Sequence, residues 1–206
     1  MPSRSAPSKT ALLLRRAKRG PIRARDLEGV PRSYLSRLVE QGKLEHAGRG
    51  LYRLPDADVT ELHSLAMVAA RIPHASICLL SALQVHALTT EAPHAVWIMI
   101  DSKARTPKFD ALALEVVRAH GAARAHGLER RKVENVSVSI TSAAKTVADC
   151  FRYRKLVGLD VALAALREYV ERAHARKSAY TIDALVDAAK ADHVYSVLRP
   201  YLEALV

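Results

Sequence analysis

Apolar positions in the first fifty residues follow a helical period and then an extended one. The run Ala11-Leu12-Leu13-Leu14 predicts a helix from Thr10, its N-cap, to about Arg19. Gly20-Pro21 stops it and leaves Ile22 in a turn. Ala24–Leu27 predicts a second short helix that ends around Gly29. Pro31 suits the first turn of a third. The apolar residues of that helix, Tyr34, Leu35, Leu38 and Val39, stand at i, i+1, i+4 and i+5 and share one face. Gly42 closes it. From Lys43 the period changes. Leu44, Leu51 and Leu54 lie on either side of Gly48-Arg49-Gly50, which predicts strands Lys43–Ala47 and Gly50–Leu54 with Arg49 at the turn. Short helices about a tight turn, followed by a hairpin, predict a winged helix-turn-helix over residues 10–55.

Beyond Leu54-Pro55-Asp56 the pattern is that of a mixed domain, residues 56–206. Thr60 is placed to cap a helix over Glu61–Arg71, rich in Leu62, Leu65, Met67, Val68 and Ala69 and ended by Pro73. Ile77–Leu80 leads into a further helix, Ser81–Leu88, with Ser76 or Ser81 as its cap. Ala95–Ile100 reads as a strand at a central position, from its β-branched and aromatic content. Leu112–Val117 is a second strand. Val136–Ile140 is a third, with Val136, Val138 and Ile140 on one face. Ser142–Cys150 is a helix entered directly from that strand. Gly158–His174 is a long Ala/Leu-rich helix, another starts at Ser178 or Thr181, and a last runs over Tyr195–Leu205 with a break or kink at Pro200. The fold class expected is α+β (mixed α/β): an N-terminal winged helix-turn-helix, then a mixed α/β domain with a helical C-terminal part.

Composition sharpens this picture in two places. Half of the 206 residues are apolar but 5% are aromatic, so Leu, Val, Ile and Ala must build the core. The net charge is +11, and residues 1–54 hold 13 Lys or Arg against 4 Asp or Glu, or +9 of it. Such concentration points to a polyanion partner. Residues 1–9 read as a flexible basic tail. The apolar run at Ala11–Leu14 is too short for a signal-peptide core, and no window offers the ~20 apolar residues of a membrane helix, so a cytoplasmic protein without membrane contact is expected. Cys78 and Cys150 lie in apolar segments and read as buried free thiols.

The candidate chemistry is recognition of double-stranded DNA. The first helix carries Arg15, Arg16, Lys18 and Arg19. The third presents Arg32, Ser33, Ser36 and Arg37 at or near its N-terminal end, where a recognition helix meets base edges and phosphates. Lys43 and Arg49 belong to the hairpin, and a tip arginine can reach the backbone or the minor groove. Tyr34 and Tyr52 read as packing residues.

An enzyme is not expected. The nine histidines show no repeated ligand spacing, and HExxH, CxxC, GxSxG, Walker and GxGxxG patterns are all missing, so neither a metal nor a cofactor is implied. His86 reads as a satisfied core or boundary residue. One alternative is a metal-dependent nuclease with Asp101 on the ion and Lys103 near a scissile phosphate, with Asp110 or Glu115 as further ligands. Another is a protein-interaction module without DNA binding. Ser142, Lys145, Asp149 and Arg152 fall on one helix face. A capping serine and an i, i+4 ion pair account for three of them, and a partner or phosphate contact is the alternative.

Several segments, in this order and spacing, resemble the AbiEi family of antitoxins from type IV toxin–antitoxin systems. They are Gly48–Pro55, His63–Ala66, Ile77–Leu83, Val96–Asp101, Ser142–Phe151, Gly158–Leu163 and Arg199–Leu202, and the likeness spans residues 10–206. The resemblance implies a winged helix that binds inverted repeats in its own promoter and represses the operon. It also implies a C-terminal domain that counteracts a nucleotidyltransferase-like toxin. By the family pattern Arg32, Ser33, Ser36 and Arg37 match the recognition-helix region and Arg49 the wing. No catalytic residue is implied.

Overall fold

Leu13, Ala17, Ile22, Leu27, Leu35, Leu38, Leu44 and Tyr52 gather into one N-terminal core. They do so in a computed structural model that describes residues 8–56, 61–134, 136–175 and 178–206. Helix α1 (Lys9–Ala17) is capped by Ser8, whose hydroxyl accepts from Ala11 N–H at 3.2 Å. Thr10, expected as the cap, lies inside the helix and its hydroxyl meets that of Tyr34. Ile22 is not a turn residue. It opens strand β1 (Ile22–Arg23), because a buried apolar side chain there completes the core while its backbone pairs with Tyr52. Ala24–Asp26 forms a single 3-10 turn rather than a helix. Helix α2 (Arg32–Glu40) follows Pro31, buries Leu35 and Leu38, and ends before Gly42, whose φ of +64° suits glycine. Strands β2 (Glu45–Gly48) and β3 (Leu51–Arg53) make the hairpin, shorter than expected and bulged between His46 and Gly48. With β1 they form a sheet of order β1-β3-β2.

The second region is built on a five-stranded sheet of order β6-β5-β4-β8-β7. Its strands are β4 (Ser76–Ile77), β5 (Val96–Asp101), β6 (Leu114–Ala119), β7 (Leu128–Val133) and β8 (Val136–Thr141). Side chains on β5 alternate between two cores: Val96, Ile98 and Ile100 face one, Trp97 and Met99 the other. Helix α3 (His63–Arg71) packs on the first face, with Leu65 and Val68 buried. The second face is covered by α4 (Leu79–Val85), α5 (Gly121–Ala125), α6 (Ala143–Arg152), α7 (Arg154–Val157), α8 (Leu159–His174), α9 (Ile182–Ala191) and α10 (Tyr195–Glu203).

Several expectations need correction. The central strand is β4, two residues long, and β5 lies beside it. Ser76 belongs to β4, where its hydroxyl meets Ser139 at 3.0 Å, and Ser81 accepts from Trp97 N–H at 3.0 Å; neither caps α4, whose N-cap is Cys78. The second strand begins two residues later than expected. Strand β7 and helix α5 had no periodic signature, since Leu128–Lys132 is exposed throughout. Helix α10 runs on through Pro200 without a break. Thr60 lies outside the described residues, as does most of the basic tail. The Ser142 and Thr181 caps stand as expected, accepting from Lys145 N–H at 3.3 Å and Ala184 N–H at 3.2 Å. Cys78 and Cys150 are free and buried.

The two regions meet closely, and the contacts fix the hairpin. A Cβ placed on Gly20 would sit 1.6 Å from the carbonyl oxygen of Glu134, so the α1–β1 turn lies flat against the end of β7. A Cβ on Gly48 would meet the Phe109 ring at 2.9 Å. Phe109 sits on the β5–β6 connection, which is held by Arg118. Its guanidinium donates to the carbonyls of Asp101, Ser102 and Ala104 and to the Thr106 hydroxyl, at 2.6–3.3 Å. A polar chain closes the junction: Glu45 pairs with Arg53, Arg53 reaches His63 at 3.3 Å, and His63 Nδ1 meets Glu134 at 2.7 Å.

Candidate nucleic-acid interface

Helix α2 turns its apolar stripe inward, which leaves Arg32, Ser33, Ser36 and Arg37 exposed on the opposite face. Ser36 folds back and donates to the Arg32 carbonyl at 3.2 Å, so its hydroxyl is partly spent on the helix. Lys43 follows the glycine stop and is exposed outside the strand. Arg49 and Gly50 form the two-residue turn between β2 and β3, and Arg49 is exposed there. Tyr52 is buried against the His46 ring, and Tyr34 is half-buried with its hydroxyl on Thr10, so both are packing residues.

Two basic clefts result. One, of about 310 Å³, is lined by Arg23, Arg25, Arg32, Arg49 and Arg71 over a floor that includes Ala24 and Leu51. Among the described residues no acidic one lines it. This cleft joins the start of α2 to the hairpin turn and to the last residue of α3. The second, of about 470 Å³, lies between the α1–β1 turn and the β7–β8 edge. Arg16, Arg19, Arg23 and Arg130 line it together with Asp26 and Glu134. The structure therefore brings Arg32 and Arg49 together, and sets Arg16 and Arg19 at the other cleft. Arg15 and Lys18 are exposed on α1 and line neither.

Arg23, Arg25 and Arg71 were missed by the sequence reading. Arg23 precedes the 3-10 turn and Arg25 lies within it; Arg23 Nε pairs with Asp26 at 2.6 Å and Arg25 stands 4.0 Å from the same carboxylate. Arg71 lies in α3, far along the chain from the charge-rich segment. Nothing in its local sequence distinguishes it from an ordinary charge near a helix C-terminus.

The enzymatic alternative lacks its ligand set. Asp101 caps its own turn, accepting from Lys103 N–H at 2.9 Å, and stands 4.0 Å from Arg124. Among the described residues no three His, Cys, Asp or Glu side chains are grouped to hold a metal ion. Glu115, on β6, pairs in register with Trp97 of β5, not with Asp101. His86 is a satisfied core residue, with Nε2 on the Thr141 carbonyl at 2.7 Å and Arg131 on Nδ1 at 3.2 Å; burial lowers its pKa.

The Lys145 cluster faces inward. Lys145 and Asp149 are wholly buried and so closed to DNA and to partners, while Ser142 and Arg152 toward the helix ends are half-buried. Lys145 Nζ donates to Asp149 at 2.5 Å and to Asp192 at 2.6 Å, while Arg152 donates to the Asp192 carbonyl at 2.7 Å. Burial, and then the neighbouring Asp192, hold the Asp149 carboxyl well above its ordinary range. Burial alone would lower the Lys145 ammonium, but the two carboxylates outweigh it and raise its pKa.

Among the described residues no helix is long and apolar enough to cross a membrane. A solved structure, that of the RV2827C protein from Mycobacterium tuberculosis, is similar in fold, with a TM-score of 0.55. The two share 15% identity, with 98% of this chain and 83% of that chain covered, so the likeness extends over both regions and is one of fold. A comparison with curated proteins finds no match. Residues 9–55 match the family AbiEi_4, described as "Transcriptional regulator, AbiEi antitoxin". That match covers the N-terminal segment alone, 47 of the 206 residues, which is similar to the AbiEi regulators.

Proposed function

We propose that the protein is a sequence-specific DNA-binding antitoxin that represses its own toxin–antitoxin operon. In this reading residues 10–55 are a winged helix-turn-helix, with α2 as the recognition helix and the β2–β3 hairpin as the wing. Residues 56–206 are the antitoxin-type domain, set against a nucleotidyltransferase-like toxin. Arg32, Ser33, Ser36 and Arg37 meet the major groove, Arg49 and Lys43 meet the backbone, and Arg15, Arg16, Lys18 and Arg19 add phosphate contacts. The target is double-stranded DNA bearing inverted repeats in the promoter of its own gene, and the protein acts in the cytoplasm.

The observation that carries this reading is the cleft of arginines between α2 and the hairpin turn, four of whose five arginines lie inside the segment that matches the AbiEi regulators. Clustered guanidinium groups are suited to phosphate, and the first turn of a helix is suited to base edges. The test is a titration of the full chain against the duplex upstream of its gene and a scrambled duplex of equal length, at several salt concentrations. Selective binding that weakens for Arg37→Ala, and a steep loss of affinity with salt, are expected. Equal binding to both duplexes leaves general polyanion affinity, and no binding at low salt leaves a protein-docking module; either result overturns the proposal.

A further inference from the structure

The cleft beside the hairpin turn holds more positive charge than the fold compensates. Of its five arginines, Arg23 is paired with Asp26, and Arg25 lies at the limit of the same carboxylate. Arg32, Arg49 and Arg71 have no ion pair or hydrogen bond to any described residue. They arrive from the first residue of α2, the turn of the hairpin and the last residue of α3, so proximity in sequence does not explain their meeting. Free guanidinium groups around a space of about 310 Å³ repel one another, and an anion in that space relieves the repulsion. The planar fork of each suits the oxygens of a phosphate. Helix α2 also starts without a side-chain cap, which leaves first-turn N–H groups beside Arg32 for an acceptor.

We propose that this cleft takes one backbone phosphate of the bound duplex and that Arg71 is one of its ligands. The inference rests on the DNA-binding reading above and deepens it. Arg32 and Arg49 come from the segment that matches the regulators, whereas Arg71 comes from the helix that packs on the five-stranded sheet. The grip on DNA therefore spans both regions. The half-buried position of Arg71 gives its guanidinium a defined place, which a loose surface arginine lacks.

A backbone contact weakens every sequence alike, and this separates Arg71 from a base-reading residue. Full-length wild type, Arg71→Ala, Arg71→Lys and Arg37→Ala are titrated against the upstream duplex and its scrambled counterpart over a salt series, and their melting temperatures are compared. For Arg71→Ala we expect affinity to fall about tenfold on both duplexes, with the selectivity ratio kept. The slope of log affinity against log salt becomes shallower by about 0.9. Arg71→Lys keeps the slope and loses part of the affinity, because the charge remains without the fork. If wild type binds DNA and Arg71→Ala leaves affinity and slope unchanged, the phosphate site is refuted and the DNA-binding reading survives. A lower melting temperature with unchanged binding refutes it equally and leaves Arg71 as a helix-terminal charge. If wild type binds neither duplex at low salt, both proposals fall.

Discussion

The N-terminal region and the helical region treat charge in opposite ways. Around α2 and the hairpin, Arg32, Arg37, Lys43 and Arg49 are exposed, and Arg32 and Arg49 face a cleft that no acid among the described residues lines. Beneath α6, Lys145 is wholly buried, and two carboxylates meet its ammonium within 2.6 Å. An exposed cation keeps its hydration, so leaving it unpaired costs the fold little and leaves it free for a ligand. A buried one must be matched within the fold, because desolvation is several kcal/mol per ion. The first arrangement leaves its cations open to solvent, and the second ties α6 to the end of α9 through Asp192.

The largest effect is expected at the buried cluster. Lys145→Met removes the cation and leaves Asp149 and Asp192 facing each other away from water. Loss of about 3–5 kcal/mol is expected, read as a lower denaturant midpoint. A variant as stable as wild type would mean that the ammonium does not hold the carboxylates, and the contrast between the regions would fail.

A smaller effect concerns pH. One ammonium serves two carboxyl groups, and among the described residues no other donor reaches the second oxygens of Asp149 and Asp192. The Asp149 carboxyl is raised well above 3.8, by burial and then by Asp192. Above about pH 4 the unfolded chain therefore gives up this proton more readily than the folded state does. Stability from this group is complete below that pH and erodes as pH rises through the folded value. Asp149→Asn mimics the protonated carboxyl. Between pH 5 and pH 8 the variant is expected to lose less stability than wild type, in denaturation series at each pH. Parallel pH profiles would show that the proton is not held on Asp149.

How far each arrangement was legible follows from its range along the chain. The stripe of Tyr34, Leu35, Leu38 and Val39 and the glycines around Arg49 are local signals, and α2 and the hairpin lie where they point. The Lys145–Asp149 pair was legible as an i, i+4 spacing, but its burial was not, since Asp192 joins it from 43 residues beyond Asp149. Strand β4 escaped because two residues carry no period. It is a strand by virtue of neighbours on both sides, β5 and β8, that the sequence does not announce. Strand β7 escaped for the converse reason: an edge of Leu-Glu-Arg-Arg-Lys-Val has no apolar face to read. The arginine cleft was half legible. Arg32 and Arg49 stand in the charge-rich segment, while Arg71 reaches the cleft through the packing of α3 near β1.

The smallest effect is expected in the exposed region, and there its sign carries the information. Arg32→Ala and Arg49→Ala remove cations that have no partner among the described residues, so melting temperatures should stay within about 2 °C of wild type. Because the surrounding charge is positive, any shift at low salt should be upward, and it should vanish as salt screens the repulsion that the arginine contributed. Thermal melts of wild type and both variants across an ionic-strength series read this directly. A marked loss of stability on either substitution, persisting at high salt, would assign the arginine to the scaffold. The two regions would then differ in degree of burial but not in the use they make of charge.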